Sequence, residues 1–160
     1  MGDPSPRLVV ICGLPGSGKT TLARELERSM PAVRFGADEW MVALGVDLFD
    51  QPFRARLEAR FRELTASLLG LGTSVVLEFG VWSRAERDDL LATGRALGVP
   101  VELRFLDVPL EELWRRVDER NRSDAWPDRA ITRAEMEAWS GHFEAPTAEE
   151  LANYDPPTSS

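Results

Sequence analysis

The sequence predicts an α/β fold, a parallel sheet with helices on both faces. Two observations carry this. Short apolar runs alternate with longer amphipathic segments along the chain. The first run is continuously apolar, as strands buried on both faces are. Parallel strands joined through helices wind by right-handed crossovers.

Arg7-Leu-Val-Val-Ile-Cys12 is the first strand, ended by Gly13. Lys19 to Met30 is a helix, with Leu22, Ala23, Leu26 and Met30 at helical spacing and Pro31 as its stop. Ala32 to Phe35 is a second strand, and a further helix begins near Glu39. Phe53 to Leu69 is the clearest helix: Phe53, Leu57, Phe61, Leu64 and Leu68 form an apolar stripe, and Gly70-Leu-Gly72 ends it. Ser74 to Phe79 is a third strand, Arg84 to Leu97 a helix, Pro100 to Leu106 a fourth strand, and Leu110 to Asn121 a helix with Leu113, Trp114 and Val117 inward. No fifth strand is evident after residue 131. The polar segment 121–133 is expected to be a small lid, and the acidic, proline-rich tail 146–160 to pack loosely or be disordered.

With 160 residues, 43% of them hydrophobic, the chain suits a single domain over 1–160 with a proper core. No apolar run approaches the ~20 residues of a membrane helix. MGDPSPR at the N-terminus lacks the pattern of a signal peptide. Cys12 is the one cysteine, so no internal disulfide is expected; a buried filler role and a cytoplasmic setting suit it. The net charge of −8 argues against a large nucleic-acid footprint, although arginines cluster at 54–62, 84–87 and 115–122. The first cluster is expected to be a solvated helix face. His142, the single histidine, is expected at the surface or a helix end.

The chemistry concentrates in Gly13-Leu14-Pro15-Gly16-Ser17-Gly18-Lys19-Thr20, which fits G-x-x-x-x-G-K-[ST] between a buried strand and an amphipathic helix. Glycines let successive N–H groups face one concavity and cradle phosphate oxygens, and the helix N-terminus adds partial positive charge. Lys19 is the one lysine among 19 basic residues. A compact ammonium suits the β/γ-phosphates better than a planar guanidinium. The Thr20 hydroxyl suits Mg2+.

A GTPase needs N-K-x-D, which a chain whose one lysine is Lys19 cannot contain, and the L-S-G-G-Q signature of a transporter ATPase is absent. A remodelling ATPase needs an apolar strand ending in Asp-Glu, and Asp38-Glu39 follows Gly36-Ala37 instead. A small kinase fits better. Loops after parallel strands open on one rim, which brings Asp38 and Glu39, then Glu78, Trp82 and Arg84, to the phosphate loop.

The segments GLPGSGKTTLA, FGADEW, VVLEFGVWSRAERD and LWRRVDERN resemble the small P-loop kinases of the zeta-toxin, chloramphenicol-phosphotransferase and polynucleotide 5′-kinase type, and most of all the AAA_33 ATP-binding proteins. The resemblance implies a three-layer P-loop kinase-like fold with strand order 2-3-1-4, ATP bound by Gly13 to Thr21, and Mg2+ near Thr20, Asp38 and Glu78. It implies that Asp38 activates an acceptor hydroxyl, or else caps a helix. Glu78 either lies near Mg2+ or substrate, or is a strand-end charge paired to an arginine. Arg116 and Arg120 would contact ATP phosphates from a lid helix, with Arg116 catalytic. Glu39, Trp82 and Arg84 complete the acceptor side; Arg84 and Arg87 either grip an anion or sit in a solvated turn. Trp40 and Trp82 could stack a flat substrate or pack in the core, and Trp126 is a lid anchor or simply packed.

The expected activity is ATP- and Mg2+-dependent phosphoryl transfer to a hydroxyl of a small molecule. The alternatives are a nucleotide-binding or slowly hydrolysing module and a polynucleotide 5′-hydroxyl kinase. The loop 38–52 is acidic and aromatic, which suits a cationic or neutral acceptor better than an anionic one.

Overall fold

The computed structural model describes residues 5–157, apart from 125 and 127. Its elements, in order, are β1 (Leu8–Cys12), α1 (Lys19–Ser29), β2 (Ala32–Phe35), α2 (Ala37–Ala43), α3 (Gln51–Gly70), β3 (Ser74–Gly80), α4 (Arg84–Ala96), β4 (Val101–Phe105), α5 (Leu110–Asn121), α6 (Arg133–His142) and α7 (Ala148–Leu151). The four strands form one parallel sheet in the order β2-β3-β1-β4. This is the three-layer order the resemblance implied.

β1 lies between two strands and is buried along its whole length. Its side chains alternate faces. Leu8, Val10 and Cys12 join Phe61 and Leu69 of α3, Leu90 of α4, and Val75, Leu77 and Val101 in one core. Val9 and Ile11 join Ala23 and Leu26 of α1 in the other. Each fully buried aliphatic side chain contributes about 1.5–3 kcal/mol, so both faces hold the central strand in place. A third cluster, Leu14, Leu113, Val117, Ile131 and Met136, ties the phosphate loop to α5 and α6.

Helix starts follow local chemistry. Asp50 Oδ1 accepts from the Phe53 N–H, and Pro52 sits in the first turn, so α3 begins two residues earlier than its apolar stripe. Ser83 and Glu86 form a reciprocal capping box on α4. α6 and α7 were not anticipated. Each has the same signal: Thr132 caps the Glu135 N–H and Thr147 caps the Glu150 N–H, three residues on.

Among the described residues the sheet stops at four strands. The tail does not pack loosely, as the sequence suggested, through residue 157. The Asp155 N–H donates to Val101 O at 2.8 Å, and Asp155 Oδ2 accepts from the Val101 N–H and from Arg95. Polar composition hid this, because the tail is held by ion pairs and caps more than by apolar burial. Residues 158–160 lie outside the described part. Among the described residues no helix is long and apolar enough to cross a membrane.

Candidate active site at the C-terminal rim of the sheet

The loops after β1, β2 and β3 open together onto a cleft of about 680 Å³, which Arg116 and Arg120 of α5 and Trp126 and Ile131 beyond it also line. Gly18, in the left-handed region with φ 96°, ends the phosphate loop. No side chain caps α1, so its first N–H groups are available to an anion. Lys19 reaches back along the loop and donates to Leu14 O at 3.0 Å. Burial lowers its ammonium to about 8, against the opposing pull of the Asp38 and Glu78 carboxylates. Pro15, Gly16, Gly18, Lys19, Thr20 and Thr21 line the cleft. Gly13, Leu14 and Ser17 are buried behind it and shape the loop.

Asp38 lies in the first turn of α2, whose N-cap is Gly36; its side chain is not a helix cap. Asp38 Oδ1 accepts from Arg54 Nη2 at 2.7 Å, and that same nitrogen donates to Leu48 O at 2.9 Å. Glu78 stands near the end of β3 with its side chain only 5% exposed. Its Oε1 accepts from Arg34 Nη1 at 3.1 Å, while Oε2 is buried without a hydrogen-bond partner. Burial raises this carboxyl, opposed by Arg34 and Lys19 and by the Thr20 hydroxyl. Gly36 makes room for it: a Cβ there would run into the Glu78 carboxylate.

Thr20, Asp38 and Glu78 all line the cleft, and the orphaned Glu78 oxygen fits a hard cation. Among the described residues no three metal-ligating side chains cluster.

The loop after β3 carries the one non-glycine positive φ among the described residues, Val81 at 41°. Arg87 holds it by donating from Nη1 to Val81 O at 2.9 Å. Arg87 is 1% exposed and pairs through both Nε and Nη2 with Glu150, itself 2% exposed. Arg87 is thus a buried strut and no anion grip. Cys12 lies beside it, a buried free thiol pushed up to about 11 by burial. Trp82 follows, lines the cleft, and packs at a tilt on Trp139 with ring centroids 6.2 Å apart.

From α5, Arg116 donates from Nη1 to Gly16 O at 3.1 Å and from Nε to Glu112 Oε1 at 3.0 Å. Arg120 lies 4.2 Å over the Trp126 ring, and burial lowers its pKa. Asn121 clamps both ends of the following segment through Ile131 N–H and O. That segment crosses to the loop before α3, where Asp128 Oδ2 accepts from the Leu48 N–H and Arg129 lies 3.6 Å over Phe49. Residues 125 and 127 of the expected lid lie outside the described part.

Most expected site residues therefore meet in one cleft. Glu39 and Arg84 do not line it. Glu39 turns outward to Arg34, and Arg84 pairs with Asp88 along the exposed side of α4, because both helix phases point away from the rim. Trp40 packs edge-on against Phe35 and Phe61 instead of facing the cleft. His142 sits exposed in the last turn of α6. Arg54, Glu58 and Glu86 do line the cleft. Arg54 and Glu58 stand on the arginine-rich helix the sequence suggested was solvated; their spacing of four residues was the available signal that they share a face.

The AAA_33 family model, described as an AAA domain, matches residues 8–146. Shikimate kinase of Corynebacterium glutamicum is 32% identical over 116 residues, covering 72% of this chain and 67% of that protein. A chain of the Pnkp1/Rnl/Hen1 RNA repair complex superposes with a TM-score of 0.74 at 24% identity. It covers 96% of this chain, which spans only 48% of that one. The Mycobacterium tuberculosis APS kinase CysC, solved with AMPPNP and APS, superposes with a TM-score of 0.58 at 21% identity over 98% of this chain and 86% of that one. The structural likenesses fix the fold, and the sequence matches fix the family: this chain belongs to the AAA_33 family of P-loop kinase-fold proteins.

Proposed function

We propose that the protein is an ATP- and Mg2+-dependent phosphotransferase that moves the γ-phosphoryl group to a hydroxyl of a small molecule. The observation that carries this is one cleft holding both a phosphate loop, after β1, and a carboxylate, Asp38, in the first turn of the helix after β2. Amides of the loop and of the first turn of α1 bind the β- and γ-phosphates, and Lys19 neutralises them. Arg116 and Arg120 add cations where charge develops during transfer. Thr20 and Glu78 hold Mg2+, which when bound screens the phosphate oxygens. Asp38 takes the acceptor hydroxyl's proton as the oxygen attacks, and Arg54 fixes the carboxylate's direction. Trp126 and Ile131, which line the cleft, help to exclude water from it, so that phosphate passes to the acceptor and not to solvent.

The test is mass spectrometry of hydroxyl compounds incubated with MgATP. Acceptors should gain one phosphoryl group with the native protein and none with Lys19→Ala or Asp38→Asn. An active Lys19→Ala protein would overturn the mechanism. A second reading, a polynucleotide 5′-hydroxyl kinase, is favoured by the likeness to a chain of an RNA repair complex. The acidic acceptor side and the net charge of −8 oppose it. A steep loss of activity with salt would support it.

A further inference from the structure

We infer that the acceptor is a hydroxyl compound carrying a protonated amine, and that Glu58 holds that amine. The inference rests on the phosphotransferase reading above.

Glu58 lines the cleft from α3, one turn beyond Arg54. Among the described residues it has no ion pair and no hydrogen bond, although Arg54 and Arg62 flank it on the same helix and Asp38 and Glu86 act on it from α2 and α4. Both arginines are committed elsewhere. Arg54 is held by Asp38 and by Leu48 O. Arg62 pairs with Glu86 at 3.5 Å and lies over the Phe79 ring. A half-buried carboxylate left unpaired is unfavourable, and in support of this burial pushes Glu58 up to about 7. A cation delivered by the acceptor offsets that cost; a neutral acceptor does not, and a carboxylate acceptor adds to it.

The charges nearby agree. On α2, α3 and α4 the cleft wall carries the carboxylates of Asp38, Glu58 and Glu86 against one lining cation, Arg54; Lys19 and Arg120 also act on Asp38, from α1 and α5. The aromatic rings agree as well. Phe49, Phe79 and Trp126 are each covered by an arginine, whereas Trp82 lines the cleft with no cation over its ring among the described residues. An indole face is the best aromatic partner for an ammonium group. Glu58 and Trp82 both line the cleft, and a carboxylate and an indole suit the same kind of ligand.

The experiment uses three matched sets of hydroxyl compounds in equal amounts with MgATP and the full chain. One set carries amines (ethanolamine, serinol, glucosamine), one is neutral (ethylene glycol, glycerol, glucose), and one carries carboxylates (glycolate, glycerate, gluconate). The dominant phosphorylated product should come from the amine set. For that acceptor Glu58→Gln should raise KM at least about tenfold, with kcat and the KM for MgATP within about twofold, and N-acetylation of the acceptor should remove the difference. A dominant product from the neutral or carboxylate set overturns the inference and leaves the phosphotransferase reading standing. So does an amine acceptor whose KM ignores Glu58→Gln. ADP formation with no phosphorylated product in any set overturns the phosphotransferase reading, and this inference with it.

Discussion

The half of the cleft proposed for phosphates is made largely of backbone, and the half proposed for the acceptor largely of side chains. In the first, Gly18 and the opening turn of α1 present N–H groups, with Lys19 as the main side chain. In the second, Asp38, Arg54, Glu58, Trp82 and Glu86 arrive from α2, α3, α4 and the loop after β3. A backbone cradle suits a ligand that never changes, a row of phosphates. A wall of side chains can be respecified without moving the fold, which suits an acceptor that differs between relatives. The strut from Arg87 to Glu150 belongs to the second half, because it sets the backbone between Glu78 and Trp82.

Separating the two halves should give the largest effect. Asp38→Asn should cut phosphoryl transfer by about 10²–10⁴-fold while nucleotide binding, measured by calorimetry, stays within about twofold. Lys19→Ala should instead weaken nucleotide binding by about a hundredfold or more and lose transfer with it. A matching loss of nucleotide binding in Asp38→Asn would erase the distinction.

The strut comes next. Arg87→Met leaves Glu150 buried and uncompensated, which should cost about 3–5 kcal/mol and lower Tm by roughly 10 °C. Pairing it with Glu150→Met should restore most of that stability. If the single variant melts like the native protein, the tail does not set the acceptor wall.

The third effect is a pH dependence of the phosphate half. The free Lys19 ammonium titrates near 8, below its ordinary value, and bound phosphates raise it because they favour the charged form. Nucleotide affinity should therefore be flat below pH 8 and fall by up to tenfold per pH unit above it. Lys19→Ala should remove that slope.

The smallest concerns Glu58. Its carboxyl ionises near 7 in the folded chain and near 4.5 when unfolded, so the fold disfavours its charge. Stability is lost as pH rises from about 4.5 to about 7. Glu58→Gln should leave Tm unchanged at pH 4.5 and raise it by about 2–4 °C at pH 8, read by differential scanning calorimetry.

The same contrast explains what the sequence made legible. The phosphate loop is a local arrangement, so Gly13 to Thr20 announced it within eight residues, and the four strands and α1, α3, α4 and α5 followed from apolar spacing. The acceptor wall depends on contacts far apart in sequence. Glu150 lies 63 residues from Arg87, and no local pattern joins them. Glu58 looked like a polar residue beside an apolar stripe, and only the packing of α3 against the rim turned it inward. Glu39 and Arg84 failed in the opposite sense: the right loops carried them, but helix phase turned their side chains outward. α6 and α7 are short and polar, so their periodicity was weak, although the Thr132–Glu135 and Thr147–Glu150 pairs marked their starts.

A chain with a single lysine also offers a chemical handle. An amine that titrates near 8 is substantially nucleophilic at neutral pH, and apart from the chain's terminal amine Lys19 has no competitor for an acylating reagent. Stoichiometric labelling of this protein would tag the phosphate site and almost nothing else. The rate of tagging would then serve as a readout of occupancy, slowed by any nucleotide that covers the ammonium and indifferent to what fills the opposite end of the cleft.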